Sequence, residues 1–219
     1  MKASDSASTE KIREKKRHFM AREEKIVEAA LELLLDKGVD RVTVFDIARM
    51  AGIGKGTVYK HFMTKNEILM RIVMDYESRL SVNLNDGIAR ARNGEPGAAA
   101  TAYFRSRLGN PALDRLVQQL EVRLEAEPEM AAMLKKLHKL RHANMEHLNN
   151  MVAELISEGR LEDVPPHHHY LACWALAQGA VDLFFNQTLD FLNIRDKQKL
   201  LDYITDIGVT MGNRGQLRS

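Results

Sequence analysis

The sequence TVFDIARMAGIGKGTVYKHF, residues 43–62, combines two short helical patterns that meet at a glycine-bearing turn. Thr43 stands three residues before Asp46, the spacing at which a hydroxyl and a carboxylate cap the first turn of a helix. Gly52 can adopt the positive φ that ends such a helix, and the second pattern runs from Lys55 to Phe62. Two helices joined by so tight a turn indicate a helix-turn-helix, which predicts that this stretch binds DNA.

Helical patterns continue on both sides of this motif. Upstream, the apolar residues between positions 22 and 37 recur on one helical face, and Gly38 ends that helix. Downstream, Thr64 and Glu67 repeat the capping spacing at the start of a long apolar pattern that can extend to Arg92. The first three helices therefore form a small unit with its own core, and the fourth helix connects this unit to the remaining chain.

The remaining sequence is also helical in pattern, and no alternating strand pattern occurs in it. Breaks that contain Gly, Pro or Asn separate the predicted helices, which cover residues 98–108, 112–126, 128–158, 167–192 and 195–211. The sequence thus predicts an all-α fold in three parts. These are a basic and mostly disordered arm over residues 1–20, a helix-turn-helix domain over 21–66, and a larger helical domain over 67–219.

The segment GIGKGTVYKHF, followed by Thr64, Lys65 and Glu67, resembles the signature of the tetracycline-repressor (TetR) family of bacterial transcriptional regulators. The resemblance covers about residues 24–69 in detail, and the rest of the chain agrees in length and helical character. It implies a homodimer in which a long helix joins the N-terminal DNA-binding domain to a C-terminal domain for effector binding and dimerisation. It also implies that the last two helices build the dimer interface.

By this resemblance, both helices of the motif are expected to contact DNA. Val44, Phe45, Lys55, Gly56 and Tyr59 match positions that face base edges, where an apolar side chain would meet a thymine methyl group. Thr43, Thr57, Tyr59, His61 and Lys65 match positions that commonly hold phosphates. Tyr59 and His61 have an alternative role in filling the small core. Gly54 stands where many members carry serine, so a side-chain cap and one phosphate hydroxyl are lost.

Composition and charge limit the class of protein. The chain has 219 residues, 45% of them hydrophobic, and a single cysteine, which excludes an intramolecular disulfide. No apolar run of about eighteen residues could span a bilayer, so we expect a cytoplasmic protein with no membrane partner. The net charge is only +2, but basic residues cluster over positions 11–17. That cluster favours either an arm that lies on DNA or a solvated extension of the first helix.

An effector site is expected among the helices that follow the fourth, because the resemblance implies one there. The candidate lining residues are aromatic or methionine side chains, types that also fill ordinary helical cores: Tyr103, Phe104, Met133, Met145, Met151, Trp174 and Phe185. The scarcity of charge around them favours an apolar or amphipathic small molecule. Small residues of the helix over 167–192 would allow close packing at a dimer interface: Ala172, Ala175, Gly179 and Ala180.

Residues suited to other chemistry are few. His138, His142 and Glu146 share one helical face, but they complete no metal-binding motif, so no metal and no cofactor are predicted. Cys173 lies in an apolar run, as expected for a buried inert thiol. Asp182 is either exposed between helices, paired across a dimer interface or in contact with a ligand. No nucleophile or nucleotide-binding motif occurs, so the chain is predicted not to be an enzyme.

The sequence therefore predicts a homodimeric transcriptional regulator that represses from a palindromic double-stranded operator and responds to a small-molecule effector. Two alternatives stay open. In the first, the DNA-binding dimer responds to a protein partner or acts constitutively. In the second, the chain is a helical protein that binds a ligand or metal and whose helix-turn-helix only packs.

Overall fold

The computed structural model describes residues 2–185, 188–191 and 194–212. These residues form helices and turns, with no strand among them, which confirms the predicted all-α class. The helices are α1 (Lys2–Lys37), α2 (Val44–Met50), α3 (Lys55–Val58), α4 (Lys65–Arg92), α5 (Ala98–Leu108), α6 (Pro111–Glu125), α7 (Ala131–Ser157), α8 (Pro166–Phe184), α9 (Thr188–Phe191) and α10 (Lys197–Gly212). Short 3-10 turns occupy Val39–Arg41 and Pro128–Met130. The chain divides into two compact units, Met1–Val73 and Met74–Ser219, so α4 contributes residues to both.

The first unit has a small core of its own. Its helix α2 packs against α1 and α3, and the core contains Ile26, Leu34, Ile47, Val58 and Ile68, each at most 2% exposed. Burying an aliphatic side chain of this size stabilises a fold by about 1.5–3 kcal/mol. These few residues therefore hold the short helices α2 and α3, which would not be stable as isolated helices.

The first helix begins earlier than the sequence predicted. A mostly disordered arm was expected over residues 1–20 and a helix from position 22, but α1 spans Lys2–Lys37. Residues 2–21 contain no glycine or proline and are rich in Lys, Glu, Arg and Ala, which favour helix. With no residue to break it, the helix continues upstream of its apolar stripe, and the basic side chains between Lys11 and Arg17 are exposed on it.

Helix α5 lies at the centre of the second unit. Its Ala98 and Ala99 pack with apolar residues of α4 and α7. Its Phe104 and Leu108 pack with apolar residues of α8 and α10. A methyl group added to Gly208 of α10 would overlap the ring of Phe104, so this glycine permits the close approach of α10 to α5. Two apolar clusters therefore share one helix.

Two predicted helices differ at their ends. The helix expected over residues 128–158 opens with the 3-10 turn Pro128–Met130 before α7 begins. The helix expected over 167–192 ends at Phe184, and the four-residue α9 follows separately. The apolar pattern of α8 stops at Phe185, where the polar Asn186 and Gln187 follow in the sequence. Within the described ranges, no helix combines the length and the apolar character needed to cross a membrane.

Candidate functional site

Side-chain caps fix the start of the helix-turn-helix, as the sequence predicted. The amide of Asp46 donates to Thr43 Oγ1 over 3.2 Å, and the amide of Thr43 donates to Asp46 Oδ2 over 3.0 Å. The hydroxyl of Thr43 donates to the same carboxylate, and these bonds lower the pKa of Asp46. At the other end of α2, Gly52 adopts φ 67°, the left-handed conformation expected of the turn. The orientation of α3 relative to α2 is therefore set by local hydrogen bonds.

The exposed faces of α2 and α3 carry most of the residues predicted to contact DNA. Phe45 is 59% exposed and Tyr59 is 45% exposed, although both are large aromatic residues. Lys55 Nζ lies 5.7 Å from the centre of the Tyr59 ring. Thr43, Lys55 and Gly56 are also exposed, whereas Val44, Thr57 and Lys65 are half-buried. The structure thus gathers aromatic, cationic and hydroxyl groups on one short segment.

Lys65 and His61 have partners inside the first unit. Lys65 Nζ donates to the carbonyl of Val39 over 2.7 Å, which ties the start of α4 to the turn before α2. The side chain of His61 is only 5% exposed and lies 3.8 Å from Glu23 Oε1 of α1. Its ring centre is 4.1 Å from that of Phe19. Of the two roles considered for His61, the structure therefore favours the core over a phosphate contact.

Replacing His61 with phenylalanine is expected to leave the unfolding free energy of the first unit unchanged or to raise it. His61 Nδ1 is buried without a hydrogen-bond partner among the described residues, and such a group costs about 1–3 kcal/mol. Phenylalanine keeps the ring packed against Phe19 and removes that polar atom. His61→Ala, the control, leaves a cavity and should cost about 3 kcal/mol. Urea denaturation of both variants measures the difference, and equal losses would contradict a core role.

A cavity of about 620 Å³ lies in the second unit. Its wall is mostly apolar and includes Leu80, Leu84, Val117, Leu148 and Val152. Four of the seven predicted effector-site residues line it: Tyr103, Met145, Met151 and Trp174. The other three are placed elsewhere. Phe104 is fully buried in the core, the ring of Phe185 lies 4.7 Å from the guanidinium of Arg115, and Met133 is not among the residues that line the cavity.

One part of the wall is a buried polar network that the sequence reasoning missed. Arg107 Nε and Nη2 donate to the two oxygens of Asp114 over 2.9 and 2.8 Å, and both side chains are less than 10% exposed. Gln118 donates to Asp114 over 2.6 Å, and the hydroxyl of Tyr76 donates to the same carboxylate. The remaining N–H groups of Arg107 reach Tyr103 and Gln178, each over 3.0 Å. The network around Asp114 and Arg107 thus connects four helices, α4, α5, α6 and α8.

The electrostatics of this network favour the ionised pair. Burial opposes the charge of Arg107, but the hydrogen bonds to Asp114 outweigh that cost and raise the pKa of the guanidinium. Burial, with the nearby Asp114 carboxylate, raises the pKa of the Tyr76 hydroxyl, which stays protonated as a donor. The sequence does contain a signal for this network. Asp114 and Gln118 lie on the same face of α6 as the apolar Val117 and Leu124, so two polar side chains are expected on the buried side of that helix.

A second ion-pair group forms part of the same cavity wall. Arg141 of α7 donates through Nε to Glu77 Oε2 over 2.8 Å and through Nη2 to Glu121 Oε2 over 2.9 Å. Next to it, Asn144 Oδ1 accepts from the hydroxyl of Ser81 over 2.7 Å. Glu77 and Asn144 are each 6% exposed. The prediction that charge is scarce around the cavity was therefore wrong for this part of the wall.

The remaining candidates for chemistry occupy unremarkable positions. Asp182 is exposed, and His142 Nε2 lies 3.4 Å from Glu146 Oε1. Within the described ranges, one set of possible metal ligands converges, with atoms of Glu121, Glu125 and His138 within 4.8 Å of one another. Both oxygens of Glu121 already accept from Arg141, so this set offers few free ligand atoms.

Cys173 is expected to react slowly with thiol reagents in the native protein. It lines the cavity, and burial raises the pKa of its thiol to about 11. Because the thiolate is the reactive form, alkylation should be slow at pH 8 and should accelerate about tenfold per pH unit until the pH approaches that value. Mass spectrometry can follow this single cysteine without ambiguity. Urea-denatured protein is the control, and equally fast labelling of native and denatured chains would contradict the burial.

Comparisons with known proteins agree with the helix-turn-helix geometry. Residues 26–72 match the family model of the bacterial regulatory proteins of the tetR family. The chain is 41% identical over 49 residues to the uncharacterized HTH-type transcriptional regulator YvdT of Bacillus subtilis, a match that covers 22% of this chain and 25% of that protein. It is 33% identical over 72 residues to the HTH-type transcriptional regulator SrpR of Pseudomonas putida, covering 33% and 34% of the two chains. These matches therefore span about a quarter to a third of the relatives' length.

The likeness of fold extends over the second unit as well. A bacterial regulatory protein of the tetR family from Rhodococcus RHA1 matches the structure with a TM-score of 0.66, and the match covers 88% of this chain and 97% of that chain. The two sequences are 19% identical, so the likeness concerns the arrangement of helices and not the ligand.

Proposed function

We propose that this chain, whose residues 26–72 match the model of the tetR family of bacterial regulatory proteins, is a homodimeric repressor whose binding to DNA is controlled by a small molecule. The observation that carries this proposal is the exposed surface of α2 and α3, where Phe45, Lys55 and Tyr59 project from helices fixed by the Thr43 cap. A solvent-exposed phenylalanine and tyrosine beside a lysine suit contact with bases and phosphates. The proposed role involves no catalytic step and places the protein in the cytoplasm with its DNA.

On DNA, we assign the base edges to Val44, Phe45, Lys55, Gly56 and Tyr59. Phe45 and the half-buried Val44 would meet thymine methyl groups, and Lys55 would donate to base acceptors in the major groove. Thr43, Thr57 and Lys65 would hold phosphates, with Lys65 keeping its bond to the Val39 carbonyl. His61 is left out of the contact set because its side chain is buried against Phe19.

The proposed dimer interface is the outer face of α8 with α10. On α8, Ala172, Ala175 and Gly179 are exposed and follow one another at helical spacing, whereas Ala180 faces the core. On α10, Tyr203 is 63% exposed and Ile207 is 39% exposed, four residues apart. Exposed apolar and small residues on two helices support a helix-to-helix contact between identical chains.

Substituting arginine for Ala175 is therefore expected to convert the dimer to monomers and to abolish high-affinity binding to a palindromic site. The long charged side chain cannot pack where a methyl group allows two helices to approach, and one half-site then binds alone. Analytical ultracentrifugation and gel-shift titration measure the two effects. Lys139→Glu, on an exposed part of α7, is the charge-change control. A fully dimeric Ala175→Arg variant would place the interface elsewhere.

The proposed effector site is the 620 Å³ cavity, and the proposed connection is α4. Tyr76, Glu77 and Leu80 of α4 line the cavity, and Lys65 begins the same helix. A ligand that binds better to one position of α4 would therefore bias the position of the DNA-reading helices. The size and apolar character of the cavity support this over control by a protein partner.

Selection of bound fragments from genomic DNA tests the function. The expected result is a palindromic site whose affinity falls steeply with salt, because released counterions dominate binding to phosphates. Compounds that stabilise the protein are then screened for release of that DNA. Absence of any selected sequence would refute the DNA-binding proposal. Failure of every stabilising compound to change DNA affinity would refute effector control alone.

A further inference from the structure

We infer that the cavity of the second unit takes a lipophilic cation, an apolar molecule with one positively charged nitrogen, and that it discriminates against carboxylates of the same size. This inference rests on the proposed role of the cavity as an effector site. It concerns which ligand charge the cavity prefers. The charged side chains of the wall determine that preference, whatever the route by which ligand binding affects DNA binding.

With His169 counted as neutral, the described residues that line the cavity carry one more negative charge than positive. Three carboxylates, Asp114, Glu77 and Glu121, face two guanidiniums, Arg107 and Arg141. Buried charge is tolerated when it is paired, and an unpaired buried carboxylate is costly. The wall therefore lacks one positive charge, and a cationic ligand would supply it.

Both guanidiniums already pair with carboxylates of the protein. Arg107 is held by Asp114, Tyr103 and Gln178, and Arg141 is held by Glu77 and Glu121. A carboxylate ligand would therefore have to share an arginine whose charge the protein already balances. It would also add a second uncompensated negative charge to a mostly apolar cavity.

The available acceptor is on Glu77. This side chain is 7% exposed and lines the cavity. Its Oε2 accepts from Arg141, while its Oε1 accepts no hydrogen bond from the described residues. The four oxygens of Asp114 and Glu121, by contrast, all accept hydrogen bonds. Glu77 Oε1 is therefore the atom that an ammonium group would meet.

A second polar residue of the wall has an unsatisfied donor. Asn144 lines the cavity and is 6% exposed, and its Nδ2 has no partner among the described residues. Asn144 bonds to Ser81, which is one helical turn from Glu77 on α4. Asn144, Ser81 and Glu77 therefore form one polar part of the wall. The aromatic residues Tyr103, Tyr170 and Trp174 line the same cavity, and aromatic rings also attract cations.

Three probes of equal chain length test the charge preference: n-decylamine, n-decanol and n-decanoate, each used below its micelle concentration at pH 7. The amine is then protonated, since an alkylammonium such as that of lysine has a pKa of about 10.4. Trp174 is the only tryptophan in the chain and lines the cavity, so its fluorescence reports entry of each probe. We expect the amine to bind at least about tenfold more tightly than the decanoate, with the alcohol between them.

Two variants locate the preference. Glu77→Gln removes the negative charge of the proposed acceptor and should reduce the affinity for the amine to about that for the alcohol, while leaving the affinity for the alcohol unchanged. Glu125→Gln removes an exposed carboxylate that does not line the cavity, and it should leave the preference intact. Circular dichroism confirms that both variants fold.

The outcomes separate this inference from the proposed function. Equal or tighter binding of decanoate, no response of Trp174 to any probe, or an unchanged amine affinity in Glu77→Gln would overturn the inference. If decanoate binds more tightly and releases the selected DNA, the charge preference fails while effector control stands. If the amine binds as expected but leaves DNA affinity unchanged, the charge preference stands and effector control by such a ligand fails.

Discussion

Replacing Asp114 with alanine is expected to destabilise the second unit by about 3–5 kcal/mol, the cost typical of removing one partner from a buried ion pair. Asp114 is 2% exposed and Arg107 is 6% exposed. Without the carboxylate, Arg107 keeps only the neutral partners Tyr103 and Gln178, and the hydroxyl of Tyr76 loses its acceptor. The charge of the buried Arg107 then has no opposite charge beside it. The free-energy cost of this unpaired charge exceeds the net stabilisation that the ion pair provides.

Urea denaturation, monitored by the fluorescence of Trp174, measures this loss of unfolding free energy in the second unit. Glu95→Ala is the matched control, because it removes a carboxylate from an arginine pair at the surface, where Arg90 and Glu95 are both about half exposed. Exposed pairs contribute about 0–1 kcal/mol. If Asp114→Ala costs no more than Glu95→Ala, the buried network does not hold the helices together.

A double variant tests whether the stability is lost because the ion pair is absent or because one buried charge is left without a partner. Replacing Arg107 with methionine and Asp114 with leucine removes both charges and keeps apolar volume in the wall. Such replacements of buried ion pairs are often neutral or stabilising. The double variant should therefore recover most of the stability lost in Asp114→Ala. Failure to recover it would mean that the hydrogen bonds to Tyr76 and Gln118 matter more than the buried charge.

Local signals explain how much of the fold could be predicted. The starts of α2 and α4 follow from capping pairs three residues apart, Thr43 with Asp46 and Thr64 with Glu67, and the structure contains both caps. The bounds of α5 follow from the Gly- and Pro-containing breaks beside it. The start of α1 was misjudged because low hydrophobicity was taken to mean disorder, although helix propensity without a breaker was sufficient for helix.

The polar part of the cavity wall could not be predicted in the same way. Arg107 and Gln178 are 71 residues apart in the sequence, and Arg141 and Glu77 are 64 apart. Their pairing depends on how α4, α5, α7 and α8 pack, which no spacing rule specifies. Gln178, a polar residue in an apolar helix, is a further sequence signal beside Asp114 and Gln118, but none of the three identifies its partner. Aromatic and methionine side chains were easier to choose because any apolar wall needs them.

Replacing Lys55 with alanine should weaken binding to the selected palindromic DNA by a factor of about 30 to about 25,000. One side chain that contacts a base edge contributes about 1–3 kcal/mol of binding free energy. Because a homodimer loses the contact in both half-sites, the expected loss is about 2–6 kcal/mol. Lys55 is exposed at the start of α3 and has no ion-pair partner among the described residues. Its removal should therefore affect DNA binding without affecting stability.

Gel-shift titrations at several salt concentrations measure the loss and identify its cause. Lys139→Ala, which removes an exposed lysine from α7, is the matched control and should change the affinity less than about threefold, since it lies outside the proposed surface. If Lys55 holds a phosphate, its loss lowers the salt slope by about one per contact and weakens all sequences alike. If Lys55 reads a base, its loss relaxes the sequence preference at one position of each half-site. An unchanged affinity in Lys55→Ala would remove α3 from the DNA interface, because Lys55 is the one cationic residue of that helix, Lys55–Val58, and it is exposed.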